Sequence, residues 1–223
     1  MVFSEPTFLF FFLPLTLAFY FLLPGGGKNF FLLIVSLIFY AWGEELFLLV
    51  ILAMIVLNYF TAIWIDRTAQ PQARLRLTQL GVALNILVLV YFKYAYFFAS
   101  NVTENDTILA YTRSIHLPIG ISFYTFQALS YLIDVYRRHV AAQRDPIKMA
   151  LFISLFPQLI AGPIVRYSEI EKELVDRKTT RSDFTIGVER FIIGLAKKIL
   201  IADPLGLVAD QIFALPLDGL PLR

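Results

Sequence analysis

The chain is 223 residues long, 58% hydrophobic with 22 Phe, 16% charged, and carries a net charge of +2. Soluble domains are about 45–50% apolar and about 25% charged, so this excess of apolar residues, arranged in blocks at a mean hydropathy of +0.71, predicts a multispanning membrane protein. The basic residues sit beside hydrophobic ends, which points away from nucleic acid, and the absence of Cys excludes disulfides, thiolate metal sites and cysteine nucleophiles.

The first basic residue is Lys28 and Glu5 is acidic. A cleaved signal peptide begins with positive charge, so the first apolar run is expected to remain as a membrane helix. That run is Phe8 to Leu23, closed by Pro24 and Gly25-Gly26-Gly27. The glycines join two apolar runs, so they read as a tight interhelical turn and not as a phosphate cradle, which needs a preceding strand. Phe30 to Trp42 is a second, short run, and Leu46 to Ile65 is a third of full spanning length. Glu44-Glu45 between them reads as a solvated turn. Asp66 to Thr78 is polar, with Arg67, Arg74 and Arg76. Leu80 to Ala99 is the fourth span, in which Lys93 lies near enough to the end to snorkel. Ser100 to His116 is a polar loop with two glycosylation sequons, at Asn101 and Asn105, and a single basic residue, Arg113.

Basic loops face the cytoplasm. The three Arg after span three and the one after span four put the N-terminus outside and return span five, Leu117 to Tyr136, to the cytoplasm at Arg137-Arg138. Arg166, Lys172, Arg177, Lys178 and Arg181 also indicate cytoplasm. If the intervening apolar run crossed the membrane, one of these basic loops would face the wrong way. Ile147 to Val165 is therefore expected to be a re-entrant hairpin, bent at Pro157 and at Gly162-Pro163. Broken backbone persists at membrane depth only beside protein or a wet cavity, so this segment is the expected place for handling a substrate. From Phe184 to Asp203 the charges Glu189, Arg190, Lys197 and Lys198 occupy about half of a helical circumference, the pattern of an amphipathic helix. Beyond Pro204 a short apolar stretch leads to Leu222-Arg223 without a recognisable final span, so the chain is expected to be cut short.

The residues suited to line a tunnel or substrate path are Gln127 in span five, Asp134 at its cytoplasmic end, Gln158 beside Pro157, and Arg166. Asp134 and Arg138 have the i,i+4 spacing of a helix-surface ion pair; buried carboxylates in membranes also tend to face cavities. The two glutamines can instead bond across helices. His116 and His139 are expected at opposite faces of the membrane, which rules out a shared metal site. No Ser-His-Asp set, nucleotide loop or metal cluster emerges.

Five stretches, FLFFFLPLTLAFYFLLP, LIVSLIFYAWGEELFLLVILAMIVLNY, LPIGISFYTFQALSYLIDVYRR, LFPQLIAGPIVRY and GLAKKILIADPL, resemble the membrane-bound O-acyltransferases, in particular the branch that O-acetylates bacterial alginate. The resemblance covers most of the chain in the family's order. It implies an all-α polytopic membrane protein, a ring of helices around a funnel with re-entrant pieces near the centre, in the bacterial inner membrane. This chain, residues 1–223, would be its N-terminal part, with LFPQLIAGPIVRY as a tunnel wall. The implied activity moves an acetyl group from a thioester such as acetyl-CoA, as substrate and not bound cofactor, toward hydroxyls of an exported polysaccharide. Periplasmic acetyltransferases would be its protein partners and the lipid bilayer its surroundings. The family's catalytic histidine, a general base in a tryptophan-rich motif, is expected beyond Arg223, so no catalytic residue is assigned here. Other readings are a transporter or channel, since broken helices also build ion sites, and a non-catalytic assembly subunit.

Overall fold

The computed structural model describes residues 3–159, 162 and 164–215. Among these, every regular element is helical. The chain divides into two compact units, one running from Leu13 to Asp176, the other joining the N-terminal residues up to Phe12 with the segment from Arg177.

The first unit contains α1 (Leu13–Leu22), α2 (Lys28–Ala41), α3 (Leu48–Arg67) and α4 (Pro71–Val102). A single 3-10 turn of Gly25–Gly27 separates α1 from α2. At 1.5 Å per residue, the 20 residues of α3 reach about 30 Å and the 32 of α4 about 48 Å. These two helices are long and apolar enough to cross a membrane. The segment Asp66 to Thr78, expected as a polar connection, is mostly the first turns of α4. Pro71 occupies the first helical position, where its missing N–H has no intrahelical partner to lose, and Gln, Arg and Leu then propagate the helix.

Asn105 caps α5 (Asp106–Arg113), its side-chain oxygen accepting from the N–H groups of Thr107 and Ile108. The sequon asparagine is thus a helix cap inside the expected polar loop. Next comes α6 (Ile121–Tyr136), entered through Gly120 in the left-handed region at φ +77°. Its far end closes as a Schellman turn: His139 N–H donates to the Asp134 carbonyl at 2.9 Å and Arg138 N–H to the Val135 carbonyl at 3.1 Å. Arg138 takes the left-handed position, φ 63°, that such turns usually give to glycine.

The unit is completed by α7 (Pro146–Ser154), α8 (Phe156–Leu159) and α9 (Tyr167–Val175). Helix α6 is central, packing against α3, α4, α7 and α9, while α2 packs against α7 and α8. Leu132, Val135, Ile51, Ala62 and Ile65 fill the core where α3 and α6 meet.

One polar pair lies inside this core. Asn58 of α3 and Asn85 of α4, both fully buried, exchange two amide hydrogen bonds of 3.0 Å. Each amide's other donor hydrogen goes to its own helix, Asn58 to Met54 O and Asn85 to Gly81 O. The pair fixes the register between the helices, because a slip would leave amides orphaned in an apolar core. Asn58→Leu or Asn85→Leu alone should lower stability by about 1 kcal/mol, by leaving the other amide short of a partner. The double variant should recover part of that loss, as unfolding titrations in detergent would show.

In the second unit, α10 (Arg181–Lys197) begins with a capping box between Thr180 and Asp183. Hydrogen bonds from the Thr180 hydroxyl and N–H hold the Asp183 carboxyl below the ordinary carboxylate range. A π turn, Lys198–Ala202, carries the chain into α11 (Asp203–Phe213). Pro204 stands in the first turn of α11, where it is tolerated, so the helix continues past it. Lys198 Nζ donates to Ser4 Oγ and to Asp203 Oδ2, each at 2.9 Å.

Candidate functional site

The candidate site is the broken segment and the face of α6 behind it. Helix α7 starts on a strong signal: the Asp145 side chain accepts from the N–H groups of Ile147 and Lys148, with Pro146 at the first helical position. The helix stops at Ser154, and Leu155 turns out to φ −56°, ψ 114°. Pro157 follows two residues later and can neither donate to a helical ladder nor tolerate an unbent one.

The break releases two backbone groups that a continuous helix would have joined, the Phe152 carbonyl and the Phe156 N–H. Both are met by side chains. The Phe152 oxygen accepts from Gln127 Nε2 and from Gln158 Nε2, each at 2.7 Å. The Phe156 N–H donates to Ser36 Oγ at 3.2 Å, and that hydroxyl donates to Leu32 O within α2 at 2.7 Å. All three side chains are buried. An unmet buried amide group costs about 1–3 kcal/mol, so these contacts make the break affordable within an apolar bundle. The two glutamines hold a bend, each directing one amide donor to the same backbone carbonyl.

The contacts also trace the segment's path along α6. Gln127 meets Phe152 midway along α6, and Leu159 lies against Gly120 at its start. A Cβ on Gly120 would stand 2.5 Å from Leu159 O. Gly162 is equally confined, since a Cβ there would approach Gln158 Cα to 2.6 Å. By α9 the chain is back at the other end of α6. Tyr167 packs at a tilt against Tyr131, with ring centroids 5.0 Å apart and planes inclined at 60°, and its hydroxyl accepts from Gln143 Nε2 at 2.6 Å. Gln143 stands just before α7, so the residues leading into and out of the segment are hydrogen-bonded to each other. The Phe152 ring completes an aromatic cluster, 5.9 Å from Tyr131 and 5.2 Å from Tyr167. Burial pushes the Tyr167 phenol above its ordinary pKa; the hydrogen bond from Gln143 works in the opposite direction, and the carboxylates of Glu171 and Asp145 add to the upward shift. Of the expected bend at Gly162-Pro163, Pro163 lies outside the described residues.

At the Arg137 end of α6, Asp134 is buried, but its partner differs from the one expected. The left-handed turn carries Arg138 away to Asp66 Oδ1 at 3.4 Å, and His139 Nδ1 lies 3.6 Å from Asp134 Oδ1 instead. Arg144 approaches the other oxygen of Asp66 at 3.9 Å, and Tyr59 donates to the Arg144 carbonyl at 2.7 Å. The i,i+4 spacing presumes that the helix runs on to Arg138, and it does not. Arg166 is exposed at the start of α9 and outside the glutamine cluster. The structure therefore joins Gln127 to Gln158 through one carbonyl and leaves Asp134 and Arg166 apart from them.

Glu44, expected in a solvated turn, is buried and accepts from the backbone N–H of Ile119. His116 and His139 flank opposite ends of α6, and no group of three or more His, Cys, Asp or Glu able to hold a metal occurs among the described residues. Ser36, Gln143 and Tyr167 escaped the sequence reading. The contact each makes at the site is with a residue more than twenty positions away, and nothing local marks it.

Over nearly its whole length the chain is homologous to proteins named as O-acetyltransferases. It is 41% identical over 220 residues to "Probable alginate O-acetylase AlgI" of Azotobacter vinelandii, a match covering 96% of this chain and 44% of that protein. The protein of the same name from Pseudomonas aeruginosa is 42% identical over 220 residues, covering 96% of this chain and 42% of the relative. A "Peptidoglycan O-acetyltransferase" of Helicobacter pylori is 36% identical over 245 residues, covering 94% and 46%. The chain thus spans less than half the length of the curated relatives it matches. No family model matches it, and no solved structure does.

Proposed function

We propose that this chain forms part of a membrane-bound O-acetyltransferase that transfers acetyl groups to hydroxyls of a polysaccharide outside the cell, alginate being the acceptor that most of the relatives' names suggest. The observation that carries this is homology at about 40% identity across 96% of the chain to proteins named for that activity. The acetyl donor in this reading is a cytoplasmic thioester such as acetyl-CoA, and periplasmic acetyltransferases receive the group. The chain contributes helices and a bent wall of the acyl path, and the histidine that activates the acceptor hydroxyl comes from outside it. A chimaera tests the reading: this chain replaces the matching 220 residues of the Pseudomonas aeruginosa relative in cells lacking that protein. Restored acetyl ester on the secreted polymer is the expected result. A chimaera that inserts at normal level but leaves the polymer unacetylated would count against it.

The membrane disposition belongs to the same proposal. The bilayer surrounds a multi-pass bundle, the N-terminus lies outside, and residues 147–165 enter and leave from the cytoplasmic side. Two features support the hairpin. Helix α7 has nine residues and α8 four, about 20 Å together against about 30 Å of hydrocarbon. The residues flanking the segment also meet through Gln143 and Tyr167. Since the chain has no native Cys, single cysteines at Gln143 and Ser168 provide a clean test. Both should react with a membrane-impermeant maleimide from the cytoplasmic side only; labelling from opposite sides would exclude the hairpin.

A further inference from the structure

At the end of α6 away from Arg137, an acidic side chain is buried. Glu44 is 4% exposed and receives one backbone hydrogen bond, from Ile119 N–H at 3.2 Å. The same Oε1 lies 3.2 Å from His116 Nε2, and that imidazole, 62% exposed, packs against the Phe47 ring at 5.2 Å. The acid therefore meets solvent through a histidine.

On the inner side stand the hydroxyls of Tyr40, near the end of α2, and Tyr124, in the first turn of α6. Both are fully buried and neither makes a hydrogen bond. The two hydroxyls are close enough to interact with each other and with the charge of Glu44. Buried hydroxyls without partners are uncommon, and ordered water is what ordinarily satisfies them. The titratable groups set against Glu44 are thus His116 from the segment before α6, Tyr124 from α6 and Tyr40 from α2.

We propose that His116, Glu44, Tyr40 and Tyr124 form a proton-exchange site, with His116 linking solvent to a hydrated, buried carboxyl and the two tyrosine hydroxyls forming its inner wall. The ligand is water and the species exchanged is the proton. Histidine suits the outer position because it both accepts and donates a proton near neutral pH. Solvent protonates His116 at Nδ1, the Nε2 proton passes to Glu44 Oε1, and the reverse sequence releases it. An Nδ1–H bond forms, the Nε2–H bond breaks and an Oε1–H bond forms, so the site gains one proton overall and His116 is left as the Nδ1–H tautomer until the reverse sequence restores it. The site does not depend on the acetyl-transfer reading, since it rests on contacts within this chain alone.

Infrared spectroscopy of the chain in lipid nanodiscs tests it through the carbonyl stretch of protonated Glu44, identified as the band that E44Q removes and E44D shifts. If E44Q fails to fold, the E44D shift alone makes the assignment. In D2O the band's hydrogen–deuterium exchange should slow tenfold or more in H116Q, while helical circular dichroism stays unchanged. Y40F and Y124F should each shift its frequency. Absence of any such band between pH 4 and 9, or H116Q exchanging at the wild-type rate, would overturn the proposal.

Discussion

Replacing Gln127 and Gln158 together is expected to destabilise the bundle by more than the two single replacements combined. Methionine is the substitution of choice because it keeps the length and packing of glutamine while removing its donors. In Gln127→Met or Gln158→Met, the Phe152 carbonyl still accepts from the remaining glutamine. Each single change should therefore cost about 1 kcal/mol. In the double variant the carbonyl has no donor, its helical partner having been turned away to Ser36. The extra cost should be about 1 kcal/mol beyond additivity, within the range seen for groups that share a partner. A double-mutant cycle from unfolding titrations in detergent measures it. Simple additivity would mean that the two amides act separately and that the carbonyl is satisfied in some other way. In the chimaera described above, the same double variant should lose acetyl transfer more steeply than expression, because the bend shapes the proposed acyl path.

Gly120→Ala is expected to be the most damaging small substitution in the chain. Two costs coincide at this position. The backbone has φ +77°, which an L residue with a Cβ adopts at a cost of about 1–3 kcal/mol. The new Cβ would also lie 2.5 Å from Leu159 O, a backbone atom that cannot rotate aside. Relief requires the end of α8 to move away from the start of α6, which loosens the segment's innermost turn. Gly25→Ala is the control, since a Cβ there meets nothing within 4 Å. The expected readout is a large fall in thermal stability for Gly120→Ala and little change for Gly25→Ala. Comparable stability of the two variants would show that α8 does not pack on Gly120.

Some of this site was legible in the sequence. A proline inside an apolar run announces a break, and a glutamine in such a run announces an internal hydrogen bond, so Gln127, Pro157 and Gln158 stood out from their neighbours alone. Which groups the break would release, and that both glutamines would converge on the one carbonyl of Phe152, depends on how α6 is rotated against α7. That rotation is decided by side chains spread over the whole unit. Asp134 shows the opposite outcome: its spacing to Arg138 suggested a pair, but spacing presumes a continuing helix, and the Schellman turn puts His139 beside it. Glu44 misled for a related reason. A charged dipeptide between apolar runs looks solvated, and only the return of Ile119 and His116 from more than seventy residues away buries it.

The sequence by itself determined the helical class, the apolar blocks, the place of the break and the similarity to proteins named as O-acetylases and O-acetyltransferases, because each is written in composition, local periodicity or matching residues. Tertiary structure alone decided the partners of the polar side chains. Hydrogen bonds act over about 3 Å, and residues far apart in the chain are brought within that distance only when the helices have packed.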